Sequence, residues 1–275
     1  MTALTQGQHK ISTGVVLGSN VFNLAALLGL GAVVAVQVRL HPRVVIFEGS
    51  LALWMAVLSI AAALGLIAPV VALVLALAVL APYVYVSALQ PSGRATIPLS
   101  ARLRSWLAEV VAKEEQELSE GIHPGKGGLR DAGTGALALG VVLAASFAME
   151  RSVSVLGARF AVPAAITGAI VLAAVTSLPN AVAAVYLARR GRAAATLSEA
   201  LNSNTLNVLA GLLLPAALIA GPDLGSALPV ALWYGALTVA TLALALAGRG
   251  ITRRSGFLII AAYAAFVITV VATAT

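Results

Sequence analysis

The sequence has no cysteine, which excludes disulfides and thiolate metal sites. Charge is scarce as well: Asp, Glu, Lys and Arg together make up 10% of the 275 residues, and there are three histidines. Nowhere do a nucleophile, a histidine and an acid converge, so an enzyme is not expected. Also missing is the alternating polar and apolar pattern that a membrane barrel needs in strands of about ten residues. What fills the chain is continuous apolar sequence rich in Ala and Leu, with hydrophobic residues at 60% and a mean hydropathy of +1.00. Such a composition belongs to an integral membrane protein.

Crossing a hydrocarbon core of roughly 30 Å takes about 20 helical residues. Runs of that kind lie at about 11–37, 44–65, 68–88, 132–150, 162–188, 196–220, 226–247 and 255–274. The expected fold class is therefore all-α, a polytopic membrane helix bundle of about eight spans in a three-plus-five layout, with backbone polar groups satisfied inside each helix. The opening residues MTALTQGQHK are polar and lead straight into a span, which does not read as a cleavable signal peptide.

The net charge of +7 raises nucleic acid as a partner, but its distribution points to lipid instead. Threading eight spans puts fourteen of the 17 Lys and Arg on one side and leaves Lys10, Arg151 and Arg159 on the other. By the positive-inside rule the rich side is cytoplasmic, and a plasma-membrane location with the 89–131 loop inside is expected. Membrane lipid and cations are the expected partners, with no nucleic acid. Nothing in the pattern reads out an oligomeric state.

Three domains follow: 1–90 with three spans, a polar linker at 91–131, and 132–275 with five. Within the linker Leu99, Leu103, Trp106, Leu107, Val110, Val111 and Leu118 recur at helical spacing. They describe an amphipathic helix lying on the membrane surface or against the bundle, or else a solvated linker helix. The stretch GIHPGKGG, Gly121–Gly128, lacks both the spacing and the Ser or Thr of a phosphate loop and reads as a flexible loop with an exposed His123.

The strongest internal signal is a repeat. Sliding the chain on itself by 184 residues aligns Gly7 with Gly191, Ser19 with Ser203, Asn20 with Asn204 and Asn23 with Asn207. Threading runs the two copies in opposite directions. Their flanks agree, because ARRGR precedes the second copy and LTQGQ, with no arginine, precedes the first. Five spans per copy would make ten, so the layout reads as a ten-helix protein without its first two helices.

Glu199, Ser203 and Asn207 stand at i, i+4 and i+8 on one face of the second copy. The span before it carries TSLPN, Thr176–Asn180, where Pro179 removes an amide donor and frees the carbonyl of Val175, predicting a kink or break there. Hydroxyls, amides and a freed carbonyl in lipid form a cluster of neutral oxygens suited to a hard cation. Singly, Ser, Thr and Asn also join membrane helices as hydrogen-bonding glue. A proline-broken helix beside a Ser/Asn helix, repeated upside down, favours a transport site at the repeat interface.

Glu199 reads either as a gate or proton carrier, or as an interfacial acid paired with Arg190 or Arg192. Glu48, close to Arg43, reads as an interfacial ion pair. Trp54, Tyr83, Tyr85, Trp233 and Tyr234 read as belt or packing residues.

GSNVFN (Gly18–Asn23), VTSLPN (Val175–Asn180) and NSNTLN (Asn202–Asn207) resemble the inverted repeats of the calcium/cation antiporter superfamily, which includes the sodium/calcium exchangers. The likeness covers essentially the whole chain. It implies that Ser19, Asn23, Thr176, Ser177, Asn180, Ser203 and Asn207 face the ions, with no cofactor beyond the transported cations (Na+, Ca2+ or H+). It implies secondary active antiport by alternating access, in which one helix pair slides past a rigid remainder. The sequence departs from that family where a glutamate follows the proline: here Asn180 stands there. Asn207 stands where the second motif often ends in an acid. A carboxylate-free site suits a monovalent cation better than calcium. The competing expectation is a non-transporting scaffold or regulatory membrane protein derived from the same fold.

Overall fold

The computed structural model describes residues 9–35, 37–89, 100–102, 105–106, 108–112, 128–163, 166–218, 224–248 and 250–274. The loop Gly121–Gly127 with His123, and the linker positions Leu99, Leu103, Leu107 and Leu118, lie outside them. Helix α1 begins as His9–Asn23, continues through a π-helical stretch, Leu24–Leu30, and ends as Gly31–Ala35. Strand β1 (Gln37–Arg39) leads to α2 (Pro42–Ala63) and α3 (Pro69–Ala88), each with proline in its first turn, where the missing amide costs nothing. After the linker come α4 (Leu129–Arg159) and α5, which is π-helical over Thr167–Leu172 and α-helical over Ala173–Arg189. Helix α6 runs as Ala193–Leu206, a π-helical Asn207–Leu213 and Leu214–Leu218. A 3₁₀ turn (Gly225–Ala227), α7 (Leu228–Ala247), β2 (Gly250–Thr252) and α8 (Arg253–Ala274) complete the chain.

Among the described residues seven helices are long and apolar enough to cross a membrane: Thr13–Ala35, Pro42–Ala63, Pro69–Val86, Thr167–Arg189, Ala195–Leu218, Gly225–Ala247 and Arg253–Thr273. The chain is an all-α membrane bundle. The expected eighth span, 132–150, is found as a helix but is not one of these seven. It forms part of α4, 31 residues long and largely exposed, which meets the remainder at the start of α5. There Gly157 lies so close that a Cβ would sit 2.9 Å from Thr167 Oγ1.

The repeat seen in the sequence is a repeat in space. α1 packs on α7 and α8, while α6 packs on α2 and α3 in the corresponding way. α2 and α7 also pack on each other: a Cβ on Gly49 would sit 2.7 Å from Leu242, and one on Gly235 would sit 2.9 Å from Ile60. β1 and β2 pair antiparallel, Val38 opposite Ile251, so the end of α1 and the start of α8 share one end of the bundle.

Part of the linker reaches the same end. Residues 101–102, 105–106 and 108–112 are helical, Val110 and Val111 are buried, and Trp106 stacks edge-on against Phe47 of α2 at 5.6 Å. Arg43 pairs with Glu109 of this segment, and His41 Nε2 lies 3.8 Å from the same carboxylate. The expected pairing of Arg43 with Glu48 is therefore corrected: the linker supplies Arg43's partner, and Glu48 is buried at 1% exposure.

The break expected at Pro179 is a second correction. α5 passes through it without interruption, and the irregular backbone lies earlier, over Thr167–Leu172. The Val175 carbonyl still loses its α-helical donor, because proline has none. At the far end Gly191 adopts φ +71°, a conformation that costs glycine little, and turns the chain so that α6 folds back along α5.

Candidate cation site at the crossing of the repeated helices

α1, α5 and α6 meet in the middle of the bundle. Gly18 lets α1 and α5 touch backbone to backbone, since a Cβ there would lie 2.2 Å from the Ala169 oxygen. The counterpart of Gly18 in α6 is Asn202, so the second copy is not built for the same approach.

Where α1 crosses α6, four asparagines bind the two copies to each other. Asn20 Nδ2 donates to the Asn204 carbonyl at 3.3 Å, and Asn204 Nδ2 donates back to the Asn20 carbonyl at 3.1 Å. Asn23 Nδ2 donates to Asn204 Oδ1 at 2.9 Å, and Asn207 Nδ2 donates to Asn20 Oδ1 at 2.9 Å. Each bond has its image in the other copy, which is the signature of a pseudo-twofold axis between them. Asn20, Asn23 and Asn204 are wholly buried. In so dry a place each amide needs partners, and the reciprocal pairing supplies them everywhere but at the Asn23 oxygen.

The symmetry ends at the serines. Asn207 Nδ2 also donates to Ser19 Oγ at 3.1 Å, but Ser203 Oγ accepts instead from Asn180 Nδ2 of α5, also at 3.1 Å. Ser19, Asn23 and Asn207 thus join Asn20 and Asn204 in one hydrogen-bonded group, while Asn180 and Ser203 form a separate pair between α5 and α6. Ser177 is buried on α5, whereas Thr176 is exposed and spends its hydroxyl on the carbonyls of Leu172 and Ala173 in its own helix. Glu199 is half-buried, and among the described residues it forms no ion pair with Arg190 or Arg192. Arg190 lies instead over the Tyr186 ring, 4.7 Å from its centroid.

Asn20 and Asn204 are the residues that sequence reasoning passed over. The 184-residue shift pairs them, but they sit off the Glu199, Ser203, Asn207 stripe, and only the crossing of the helices makes them central. The side-chain oxygen of Asn23 is buried and accepts no hydrogen bond, and among the described residues neither do those of Asn180 and Asn207. Such oxygens are acceptors that a cation or a water could use. They carry no formal charge, and the described residues hold no group of three or more His, Cys, Asp or Glu that could bind a metal.

All three helices that meet here carry a π-helical stretch, and in α1 and α6 it begins at the last asparagine of the motif or one residue beyond it. π-turns are uncommon and concentrate at functional sites.

The sodium/calcium exchanger protein family matches residues 1–90 and 132–272, leaving out the linker. Neither a curated protein nor a solved structure matches the chain. With most of its length matched, the chain belongs to the sodium/calcium exchanger protein family.

Proposed function

We propose that the chain is a secondary active cation antiporter whose central site, built of neutral oxygens, takes a monovalent cation in preference to calcium. The observation that carries this reading is the pseudo-twofold asparagine crossing with the unpaired Asn23 oxygen at its core. A transporter that alternates between two faces needs a site equidistant from both, and inverted copies crossing at mid-bundle supply one. Ser19, Asn23, Asn180, Ser203 and Asn207 hold the ion, Ser177 stands beside them, and Thr176 enters only if α5 rotates. Dipoles without carboxylates return too little for a doubly charged ion stripped of water. The arginine-rich end, which carries β1, β2 and the linker segment, faces the cytoplasm of a plasma membrane.

The test is ion flux into proteoliposomes holding the purified chain, with sodium, potassium, calcium and proton gradients imposed in turn. Monovalent-driven flux that Asn207→Ala abolishes is the expected result; flux unchanged in that variant removes the site from the mechanism. One observation favours a second reading, a non-transporting scaffold. The asparagine amides already occupy the oxygens of Ser19, Ser203, Asn20 and Asn204, as a permanent clasp between the two halves would. No flux under any gradient, with the fold intact, decides for that reading.

A further inference from the structure

The two copies of the motif helix are covered unequally. In α1 the motif is sealed: Ser19 is 6% exposed, Asn23 is wholly buried, and α5 lies alongside with Ala169 against Gly14 and Gly18. The corresponding side of α6 is open. Ser203 and Asn207 are half-buried, Ala210 is exposed and Leu206 is 58% exposed. With Glu199 and Asn202 these residues recur at helical spacing, while Leu197, Leu201, Asn204 and Val208 on the other side are buried. The open side is also polar. Among the described residues the side chains of Glu199 and Asn202 make no hydrogen bond and no ion pair, although both are half-buried. Asn202 stands about 10 Å inside the span that starts at Ala195, at 1.5 Å per residue. Lipid offers such groups nothing to bond to, so a polar stripe at that depth calls for a polar cover.

The pseudo-twofold axis indicates which cover fits. α5 runs parallel to α1, with Ala169 beside Gly18 and Ala188 beside Gly31, and further along it Asn180 donates to Ser203 of α6. The operation that turns α1 into α6 turns α5 into a helix lying on the open side, parallel to α6, with one donor reaching Ser19. In the present structure Asn207 Nδ2 serves Ser19 in addition to Asn20 Oδ1, and Asn23 makes no matching second bond. The asymmetry at the serines thus has a cause: Ser203 has a donor from α5, and Ser19 borrows one from α6. We propose that the open side of α6 is the docking surface of a further transmembrane helix, from outside residues 1–275. That helix carries an amide or hydroxyl at mid-span for Ser19 and, at the separation of Ala169 from Asn180 nearer its start, a polar residue for Asn202. Asn202 stands where α1 has Gly18, so this second contact is a hydrogen bond between side chains and not a touching of backbones. Polar side chains of this kind join helices inside membranes. Docking transfers Ser19 to the new donor and leaves Asn207 bonded to Asn20 alone, as Asn23 is to Asn204. The inference stands on packing and does not need the transport reading.

Photocrosslinking in the membranes of the source organism tests the surface. Benzoylphenylalanine is placed at Leu206, and, as a control, at Ile268 on the exposed side of α8. The expected result is a protein adduct at Leu206, mapped by mass spectrometry to a membrane-spanning segment with an amide or hydroxyl near its middle, and only lipid adducts at Ile268. Adding Asn202→Leu should abolish the Leu206 adduct without lowering the thermal midpoint of the purified chain, because Asn202 holds nothing within it. A lipid adduct alone at Leu206 overturns the proposal, as does an adduct to residues 1–275 of a second copy. So does an adduct to a segment without a polar mid-span residue, or one that survives Asn202→Leu. If Asn202→Leu lowers the midpoint of the purified chain, the open side is part of the internal packing and the proposal falls as well.

Discussion

At the scale of single residues, the asparagines show how a hydrophobic chain can hold polar groups in its driest region. Asn204 both donates to and accepts from α1, through its carbonyl, its amide nitrogen and its amide oxygen. Replacing it with alanine strips the partner from the buried Asn23 amide and from the Asn20 carbonyl. A buried group left without a partner costs about 1–3 kcal/mol, so Asn204→Ala should lower the thermal unfolding midpoint in detergent markedly. Asn180→Ala, which frees only the half-buried Ser203 hydroxyl, should lower it less. Equal midpoints for the two variants would show that the crossing does not hold the halves together. The same comparison separates clasp from ligand: a stability loss without a change in cation affinity marks a residue as clasp alone.

At the scale of elements, the contact between α1 and α5 depends on one missing side chain. Gly18→Ala drives a Cβ into the Ala169 backbone, which cannot rotate out of the way as a side-chain tip can. The two helices must separate, so little folded protein should be recovered, as size-exclusion profiles in detergent would show. Gly133→Ala and Gly135→Ala on α4 meet nothing within 4 Å and, as helix-interior changes, should hold or raise stability by up to about 1 kcal/mol. Recovery of Gly18→Ala at the level of those two would mean that α1 and α5 do not touch there.

Helices of this kind were legible beforehand because apolar runs of membrane length leave few alternatives, and the copies because Ser19, Asn20 and Asn23 recur in order. The π-helical stretches were not legible. LAALLGL and NVLAGLL are ordinary helix-forming sequence, and the wider turns belong to the crossing rather than to local propensity. Pro179 misled in the opposite direction: a strong local breaker sits inside a helix that its neighbours keep continuous. The partner of Arg43 was hidden for a third reason, because Glu109 is 66 residues away and only docking of the linker brings the two together.

At the scale of the whole molecule, the inverted arrangement makes a claim about sides. The strand pair ties the end of α1 to the start of α8, and the Arg43–Glu109 pair ties the linker to that same end. The turn between α2 and α3, with Leu66 72% exposed, belongs to the opposite end, while Arg190 and Gly191 stand between α5 and α6 at the arginine-rich end. A chain without cysteine is already the background that a labelling experiment needs. Leu66→Cys and Arg190→Cys, made singly, should react with a membrane-impermeant thiol reagent from opposite sides of sealed vesicles, Leu66→Cys from outside in intact cells and Arg190→Cys only after lysis. Two further positions test the inversion itself. Arg254→Cys at the start of α8 should behave like Arg190→Cys, and Ala161→Cys, between α4 and α5, like Leu66→Cys. If all four label from one side, the two motif helices are not inverted copies. The asparagine crossing would then be a contact between like-oriented helices, and a site equally open to both faces could not form there.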